Sequence, residues 1–187
     1  MVLTNHSRIC IPPETWFLLD LVEKLPLQKE LSSPELEQAI ELMVTNYRWP
    51  DLDIDKDRFS AEARALEGPT VRKVAELVYT FHMERDDARR WGDKTPTYVR
   101  IVPQLARLYP EALFIHLIRD GHDVAMSMYA KRWNGRWLAW NAREWIEAID
   151  LMRAHRETLP EERLIEIRYE DLVLCLLYTS DAADELT

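Results

Sequence analysis

The sequence predicts an α/β fold, in which short apolar strands occur in a chain otherwise made of amphipathic helices. Residues 112–118 form an almost wholly apolar run, and residues 164–169 form a second short segment rich in Leu and Ile. The first run is typical of a strand buried on both faces of a parallel sheet. Apolar residues at helical spacing, such as Val71, Val74 and Val78, indicate helices elsewhere in the chain. The two patterns together favour α/β architecture.

Proline, glycine and capping residues divide the first part of the chain into segments. Residues 8–11 are expected to be extended and to end at the two prolines that follow, because proline donates no backbone hydrogen bond. The apolar pattern then predicts a helix over residues 14–24, and the acidic stretch 49–59 is expected to be an irregular loop. Three more helices are expected, one starting at Ser33-Pro34-Glu35, one starting at Gly68-Pro69-Thr70, and one over Thr97–Leu108 that Pro103 kinks.

The second part of the chain contains the two predicted strands and two further helices. A helix is expected directly after the first strand, over residues 120–131. A longer helix rich in Trp is expected over residues 137–158. The strand at residues 164–169 should then end in a turn or helix start at Glu170 and Asp171.

Composition and charge exclude several classes of protein. A chain of 187 residues can bury the core of about one domain, and its net charge of −9 argues against a general nucleic-acid binder. No apolar run approaches the ~20 residues needed to cross a bilayer, and the N-terminus lacks the pattern of a signal peptide. Cys10 and Cys175 make neither a disulfide framework nor a metal site. We therefore expect a cytoplasmic protein with no metal, no nucleic-acid partner and no membrane contact.

The C-terminal run from Cys175 to Glu185 resembles a translated sequencing-library adapter. Such a scar is excluded from reasoning about the fold. We expect natural sequence to end near Leu174, so that residues 175–187 are a non-native tail and residues 1–174 form a partial domain.

An arginine and a serine mark a candidate anion site after the first predicted strand. In open α/β sheets ligands bind beyond the carboxyl ends of the strands, where Arg119 lies. Its planar guanidinium suits a phosphate, and Ser127 adds a hydroxyl about two helical turns later. Because Asp120 and Asp123 would repel an anion from the helix N-terminus, the two side chains themselves should hold it. The alternative is that Arg119 pairs with Asp123 and Ser127 only packs.

Four ordered blocks of sequence resemble a known enzyme family. The run Phe114–Met128 is similar to the 3′-phosphate-binding motif of sulfotransferases that use 3′-phosphoadenosine-5′-phosphosulfate (PAPS), in which a strand ends in Arg-Asp and a Ser follows eight positions after the Arg. Residues 91–96 (Trp-Gly-Asp-Lys-Thr-Pro) resemble a segment of the bacterial and tyrosylprotein branches. Residues 8–15 resemble the segment after the family's first helix, and residues 168–172 resemble its later strand and turn.

The resemblance implies a P-loop-NTPase-like three-layer fold with a central, mainly parallel sheet. The family's 5′-phosphosulfate loop, of the type Gly-x-x-Arg-Ser-Gly-Thr-Thr, has no counterpart in the sequence. We therefore expect a fold that is incomplete at both ends, and a fragment that is inactive alone.

The resemblance also implies roles for individual residues. Arg119 and Ser127 would bind the 3′-phosphate of PAPS. Glu14 resembles the catalytic base of the tyrosylprotein branch, with a helix-start acid as the alternative. Lys94 resembles the lysine that neutralises the sulfuryl group during transfer, with a pairing to Asp93 or a helix end as the alternative.

Two further residues are candidate nucleotide contacts. Lys131 lies four positions after Ser127 and could support the phosphate, although a solvated surface lysine fits its position equally well. Tyr169, at the end of the second strand, could contact the nucleotide or simply pack.

The parent protein is thus expected to transfer a sulfuryl group from PAPS to a hydroxyl or amine of a small-molecule or peptide acceptor. A small-molecule kinase of related fold and a non-catalytic nucleotide-binding domain are the alternatives. The tryptophans at positions 133, 137, 140 and 145 are expected mostly to pack their helix, with an acceptor pocket as their alternative role.

Overall fold

The computed structural model describes residues 3–132 and 137–175. The chain forms two compact units, Met1–Pro110 and Glu111–Thr187. Each unit combines helices with a two-stranded parallel sheet, so the predicted α/β class and the parallel pairing are confirmed. The expected non-native tail lies outside the described residues except for Cys175. None of the helices in the described ranges is long and apolar enough to cross a membrane.

The first unit is mostly helical and contains one short sheet. Strand β1 (Ile9–Cys10) runs parallel to β2 (Arg90–Trp91), with Ile9 opposite Arg90. The helices are α1 (Phe17–Lys24), α2 (Ser33–Val44), α3 (Lys56–Arg64), α4 (Val71–Asp86) and α5 (Val102–Leu108), with 3-10 turns at Leu3–Asn5, Trp49–Leu52 and Pro96–Ile101.

Helix α4 provides the central buried face of this unit. It starts where the sequence predicts, because the Thr70 hydroxyl accepts a hydrogen bond from the Lys73 N–H at 3.2 Å and caps the first turn. Its inward face is fully buried at Val74, Val78 and several neighbours. The buried ring of Tyr79 stacks on Trp91, with ring centroids 3.9 Å apart and planes 6° from parallel. This contact fixes strand β2 and the loop after it against α4.

In the first unit one predicted helix start is wrong, and one predicted helix cap is displaced by one residue. Helix α1 begins at Phe17 rather than Glu14, because Trp16 adopts a left-handed backbone conformation (φ 58°) that interrupts the helix. Glu14 therefore lies in the loop between β1 and α1. The cap of α2 is Ser32, one residue before the expected Ser33, and it forms a capping box with Glu35.

Two further predictions are corrected by local chemistry. The expected loop over residues 49–59 contains the start of helix α3, because Asp55 caps it through the Arg58 N–H at 2.7 Å. The expected kinked helix over Thr97–Leu108 is a 3-10 turn followed by α5. Pro103 lies in the first turn of α5, where its missing N–H costs no helical hydrogen bond.

The second unit contains the longer sheet and its helices. Strand β3 (Phe114–Ile118) leads into α6 (Gly121–Lys131), α7 (Leu138–Arg156), a 3-10 turn at Glu161–Arg163 and strand β4 (Leu164–Arg168). Residues 169–175 are helical. The two strands pair in parallel along their whole length, with Phe114 opposite Leu164 and Ile118 opposite Arg168. The two strands, α6, α7 and the helix start after β4 were predicted from the sequence, whereas the 3-10 turn was not.

The predicted burial of β3 on both faces is wrong. Ile115 and Leu117 are 49% and 50% exposed, whereas Phe114, His116 and Ile118 are half-buried. Side chains alternate between the faces of a strand, and the half-buried face is the one directed toward helix α7. An almost wholly apolar strand thus has one uncovered face within its own unit.

Candidate functional site

Two of the predicted site residues meet in the first unit. The Nζ of Lys94 donates a hydrogen bond to Oε1 of Glu14, and the two side chains form an ion pair although they are 80 positions apart. Glu14 is one-quarter exposed and Lys94 about half exposed, so both can be reached from solvent. Glu14 thus precedes α1 instead of standing in its first turn, and the partner of Lys94 is Glu14, which the sequence did not indicate.

The left-handed Trp16 helps to hold Glu14 in this arrangement. Its indole N–H donates to Oε2 of Glu14 at 3.2 Å, so the two carboxylate oxygens have different partners. The indole also packs edge-on against Tyr47, with centroids 5.8 Å apart. A bulky residue with positive φ is uncommon and costs on the order of 1–3 kcal/mol, and such residues cluster at functional sites.

The residues next to the ion pair join the two loops that carry it. The Thr15 hydroxyl donates to Oδ2 of Asp93 at 2.6 Å, and the Thr15 N–H donates to Oγ1 of Thr95 at 3.1 Å. Each loop thus contributes one charged side chain to solvent and one or two polar side chains to the interior. Sequence reasoning missed Asp93 and both threonines, although Asp93 and Thr95 flank Lys94 directly.

The environment of Glu14 favours its ionised form. Partial burial raises the pKa of this carboxyl, but the hydrogen bonds from Lys94 and Trp16 and the charges of Lys94 and Arg48 outweigh that effect and lower the pKa below its ordinary value. At neutral pH Glu14 is therefore a carboxylate that can accept a proton. The stabilisation from the lowered pKa is present at neutral pH and is lost as the pH falls through that pKa.

The strand register of the second unit brings Arg119 and Tyr169 together. Because Ile118 pairs with Arg168, the next residue of each chain segment lies at the same carboxyl edge of the sheet. The Arg119 guanidinium lies over the Tyr169 ring, with 5.0 Å between the guanidinium carbon and the ring centroid. The same edge is joined by the Asp120 N–H, which donates to Glu170 at 2.9 Å.

The alternative pairing of Arg119 is present in the structure. One terminal nitrogen of Arg119 donates to Oδ2 of Asp123 at 3.0 Å, as its spacing of four positions allows. The Arg119 side chain is still 38% exposed, and its buried Nε has no hydrogen-bond partner among the described residues. An anion at this position would compete with Asp123 for the guanidinium.

The other two predicted nucleotide contacts lie on helix α6. Ser127 is half-buried two helical turns after Arg119, and Lys131 is exposed in the last turn. The helix starts at Asp120, whose carboxylate accepts the N–H groups of His122 and Asp123. These bonds lower the pKa of Asp120, which keeps a negative charge at the start of α6. The N-terminus of α6 is thereby already neutralised, as expected from the sequence.

The tryptophans of α7 have different environments. Trp145 packs against Gly121, where an added Cβ would lie 3.0 Å from the ring, and its N–H donates to the Arg119 carbonyl at 3.1 Å. Trp137 and Trp140 are 75% and 52% exposed, so the packing role predicted for them is wrong. They line an open depression of about 420 Å³ together with Ala139 and Arg143. The predicted role of position 133 falls outside the described residues.

Comparison with known proteins shows the family to which the chain belongs. A model of the sulfotransferase family matches residues 1–179. The fold is similar to a solved structure described as "Sulfotransferase Domain from the Curacin Biosynthetic Pathway", with 22% identity and a TM-score of 0.57. The match covers 98% of this chain but 66% of that one, so the chain spans slightly less than two thirds of its solved relative. No curated protein matches the chain.

The substitution Lys94→Met is expected to raise the pKa of Glu14. It removes both the hydrogen bond and the positive charge that lower this pKa, while keeping a long unbranched side chain. An NMR titration of the Glu14 carboxyl measures the change. Lys29→Met is the matched control, since Lys29 pairs with Glu35 instead and its loss should leave the pKa of Glu14 unchanged. An equal pKa in the Lys94→Met and unsubstituted proteins would contradict the pairing.

Proposed function

Because the chain belongs to the sulfotransferase family, we propose that its protein transfers a sulfuryl group from PAPS to a hydroxyl or amine of a small-molecule or peptide acceptor. The observation that carries the proposal is the Glu14–Lys94 pair. It combines a carboxylate that can accept a proton with an ammonium that can stabilise an anion, at an accessible position on two joined loops. These two groups can provide the general base and the charge stabilisation that favour in-line transfer of an anionic group to a hydroxyl.

The chemistry of the second unit fits one end of this donor. The partly exposed guanidinium of Arg119 offers paired donors of the geometry that a phosphate accepts. We propose that it binds the 3′-phosphate together with Ser127 and Lys131. The cation–π contact with the Tyr169 ring holds the guanidinium in place. In the absence of the phosphate, Asp123 accepts a hydrogen bond from Arg119, and the phosphate would replace Asp123 as the partner of the guanidinium. When bound, PAPS supplies the sulfuryl group and a phosphate leaving group.

Glu14 acts as the general base in this proposal. As the acceptor oxygen or nitrogen forms its bond to sulfur, it loses a proton, and a carboxylate oxygen of Glu14 takes that proton. Its lowered pKa ensures that the basic form is populated at neutral pH. The proton would then pass to solvent, because Glu14 is partly exposed.

Lys94 stabilises the anionic group during transfer and also influences the pKa of Glu14. One ammonium cannot give its full charge to two anions, so an anion near Lys94 weakens the hydrogen bond to Glu14. The negative charge of that anion acts on the carboxylate in the same direction. Both effects raise the pKa of Glu14 and make it a stronger base when the donor is present.

The substitution Arg119→Ala is expected to weaken binding of adenosine 3′,5′-bisphosphate (PAP), the desulfated product. The loss should be at least ~1.5 kcal/mol, the low end for a hydrogen bond to a charged group. Calorimetry on the complete protein measures it. Arg153→Ala is the matched control, because Arg153 pairs with Asp150 on a helix surface as Arg119 pairs with Asp123. Unchanged affinity in Arg119→Ala would remove this residue from the nucleotide site.

The substitution Glu14→Gln is expected to lower turnover by ~10²-fold or more, the usual range for loss of a general base. The amide keeps the size of the side chain but cannot take a proton, so PAP affinity should stay nearly intact. Radiolabelled PAPS and a panel of hydroxyl and amine acceptors provide the assay. Glu37→Gln removes another glutamate that forms an ion pair, with Arg64, and should retain full activity. Turnover near the unsubstituted level in Glu14→Gln would exclude Glu14 as the base.

A further inference from the structure

The carboxylate of Asp93 is the acceptor for three hydroxyl groups from three parts of the first unit. Thr15 donates to Oδ2 at 2.6 Å, Tyr79 of helix α4 donates to the same oxygen at 2.8 Å, and Thr95 donates to Oδ1 at 2.7 Å. Thr15 and Tyr79 are fully buried and Thr95 is 6% exposed. Each of these distances is typical of a strong O–H···O⁻ hydrogen bond.

The donor and acceptor roles in this cluster are fixed by counting protons. Thr15 gives its single hydroxyl proton to Asp93, so the Tyr98 hydroxyl is the donor to Oγ1 of Thr15 at 2.6 Å. The Tyr98 oxygen also accepts the Leu18 N–H at 3.2 Å. On the other side the Thr15 N–H donates to Thr95, which gives its proton to Asp93. Both series of hydrogen bonds end on Asp93, whose two oxygens can accept all of them when the carboxyl is ionised.

Burial opposes this ionised state, so the network depends on every donor. The pKa of Asp93 is raised overall, because desolvation and the charge of Glu14 raise it by more than the hydrogen bonds from Thr15, Thr95 and Tyr79 lower it. Burial and the charge of Asp93 also raise the pKa of Tyr79 far above its ordinary value, which keeps its proton on the phenol. Loss of a donor would therefore loosen the two loops that the carboxylate joins.

These loops carry the two side chains assigned to chemistry. Glu14 precedes Thr15, whose N–H belongs to the peptide group between them, and Lys94 lies between Asp93 and Thr95. The hydrogen bonds thus fix the backbone on one side of Glu14 and on both sides of Lys94. We propose that Asp93 is a positioning residue for sulfuryl transfer, which acts through Thr15 and Thr95 to hold Glu14 and Lys94 at their working separation.

This inference rests on the proposed function, and Thr95 allows it to be tested separately from that function. Thr95→Val keeps the shape of the side chain but removes the hydroxyl that links the Thr15 N–H to Asp93, whereas Thr95→Ser keeps the hydroxyl. Thr95→Val is expected to lower kcat roughly tenfold to a hundredfold, the effect of a small displacement of catalytic groups, with little change in KM for PAPS. Thr95→Ser is expected to retain most of the kcat.

A second measurement needs no turnover. In the complete protein, Thr95→Val is expected to raise the pKa of Glu14, because Lys94 no longer holds its position, while Arg48 and Asp93 remain as the other charges near this carboxyl. A role in stability alone would lower the melting temperature and leave that pKa in place. If Glu14→Gln proved fully active, the proposed base would be wrong, but the pKa comparison would still test the positioning.

Tyr79→Phe provides a variant that keeps the buried ring on Trp91 and removes one donor to Asp93. It is expected to shift kcat and the pKa of Glu14 in the same directions as Thr95→Val, by smaller amounts. Unchanged kcat and an unchanged pKa of Glu14 in folded Thr95→Val and Tyr79→Phe proteins would overturn the proposal. Equal losses in Thr95→Ser and Thr95→Val would also overturn it, since the hydroxyl would then be irrelevant.

Discussion

The organisation of the first unit depends on a partly buried carboxylate, that of Asp93, whose oxygens must be hydrogen-bonded. Moving a carboxylate out of water costs several kcal/mol unless hydrogen bonds replace the lost solvation. Asp93 obtains these bonds from a loop before α1, from helix α4 and from its own loop. Since each donor comes from a different segment, the three segments must pack in one arrangement for the charge to be tolerated. The stacked pair of Tyr79 and Trp91 supplies the apolar side of the same junction.

In the proposed site, positioning and chemistry are assigned to neighbouring residues. Within residues 14–15 and 93–95, the interior side chains form the hydrogen-bond network and the exposed ones form the ion pair. In the second unit the strand register places Arg119 and Tyr169 at the same edge of the sheet, where the Arg119 guanidinium lies over the Tyr169 ring. In both units the backbone fixes the position of a partly exposed cationic side chain, Lys94 in the first unit and Arg119 in the second. An anionic ligand could reach these side chains from solvent.

Local structure could be predicted from the sequence wherever local signals controlled it. Helix α4 follows from its cap and apolar spacing, and strands β3 and β4 follow from their composition. Helix α1 starts late because Trp16 is left-handed, a conformation that no sequence pattern indicates for tryptophan. Which face of β3 is exposed depends on which helices cover the strand. The apolar residues of β3 run continuously without alternating with polar ones, so the sequence does not indicate which face is covered.

The candidate site was predictable only in part, for a related reason. The pairing of Arg119 with Asp123 was one of two interpretations because it follows from a spacing of four residues on a helix start. Glu14 and Lys94 were suggested by family resemblance, but their contact joins positions 80 apart and requires the tertiary fold. Asp93 was missed because a carboxylate in a charged, polar block gives no sign in sequence of accepting hydrogen bonds from hydroxyls of distant segments.

We propose that Glu14 and Lys94 act together on the transferred group. The most direct test is the pKa of the Glu14 carboxyl in the complete protein, measured by NMR with and without saturating PAPS and in the absence of an acceptor. Lys94 lowers this pKa in the free protein. If the sulfuryl group draws Lys94 away and adds its own negative charge, the pKa of Glu14 rises when PAPS binds. A pKa that stays the same while PAPS is bound would show that neither side chain faces the sulfuryl group, and would contradict the account.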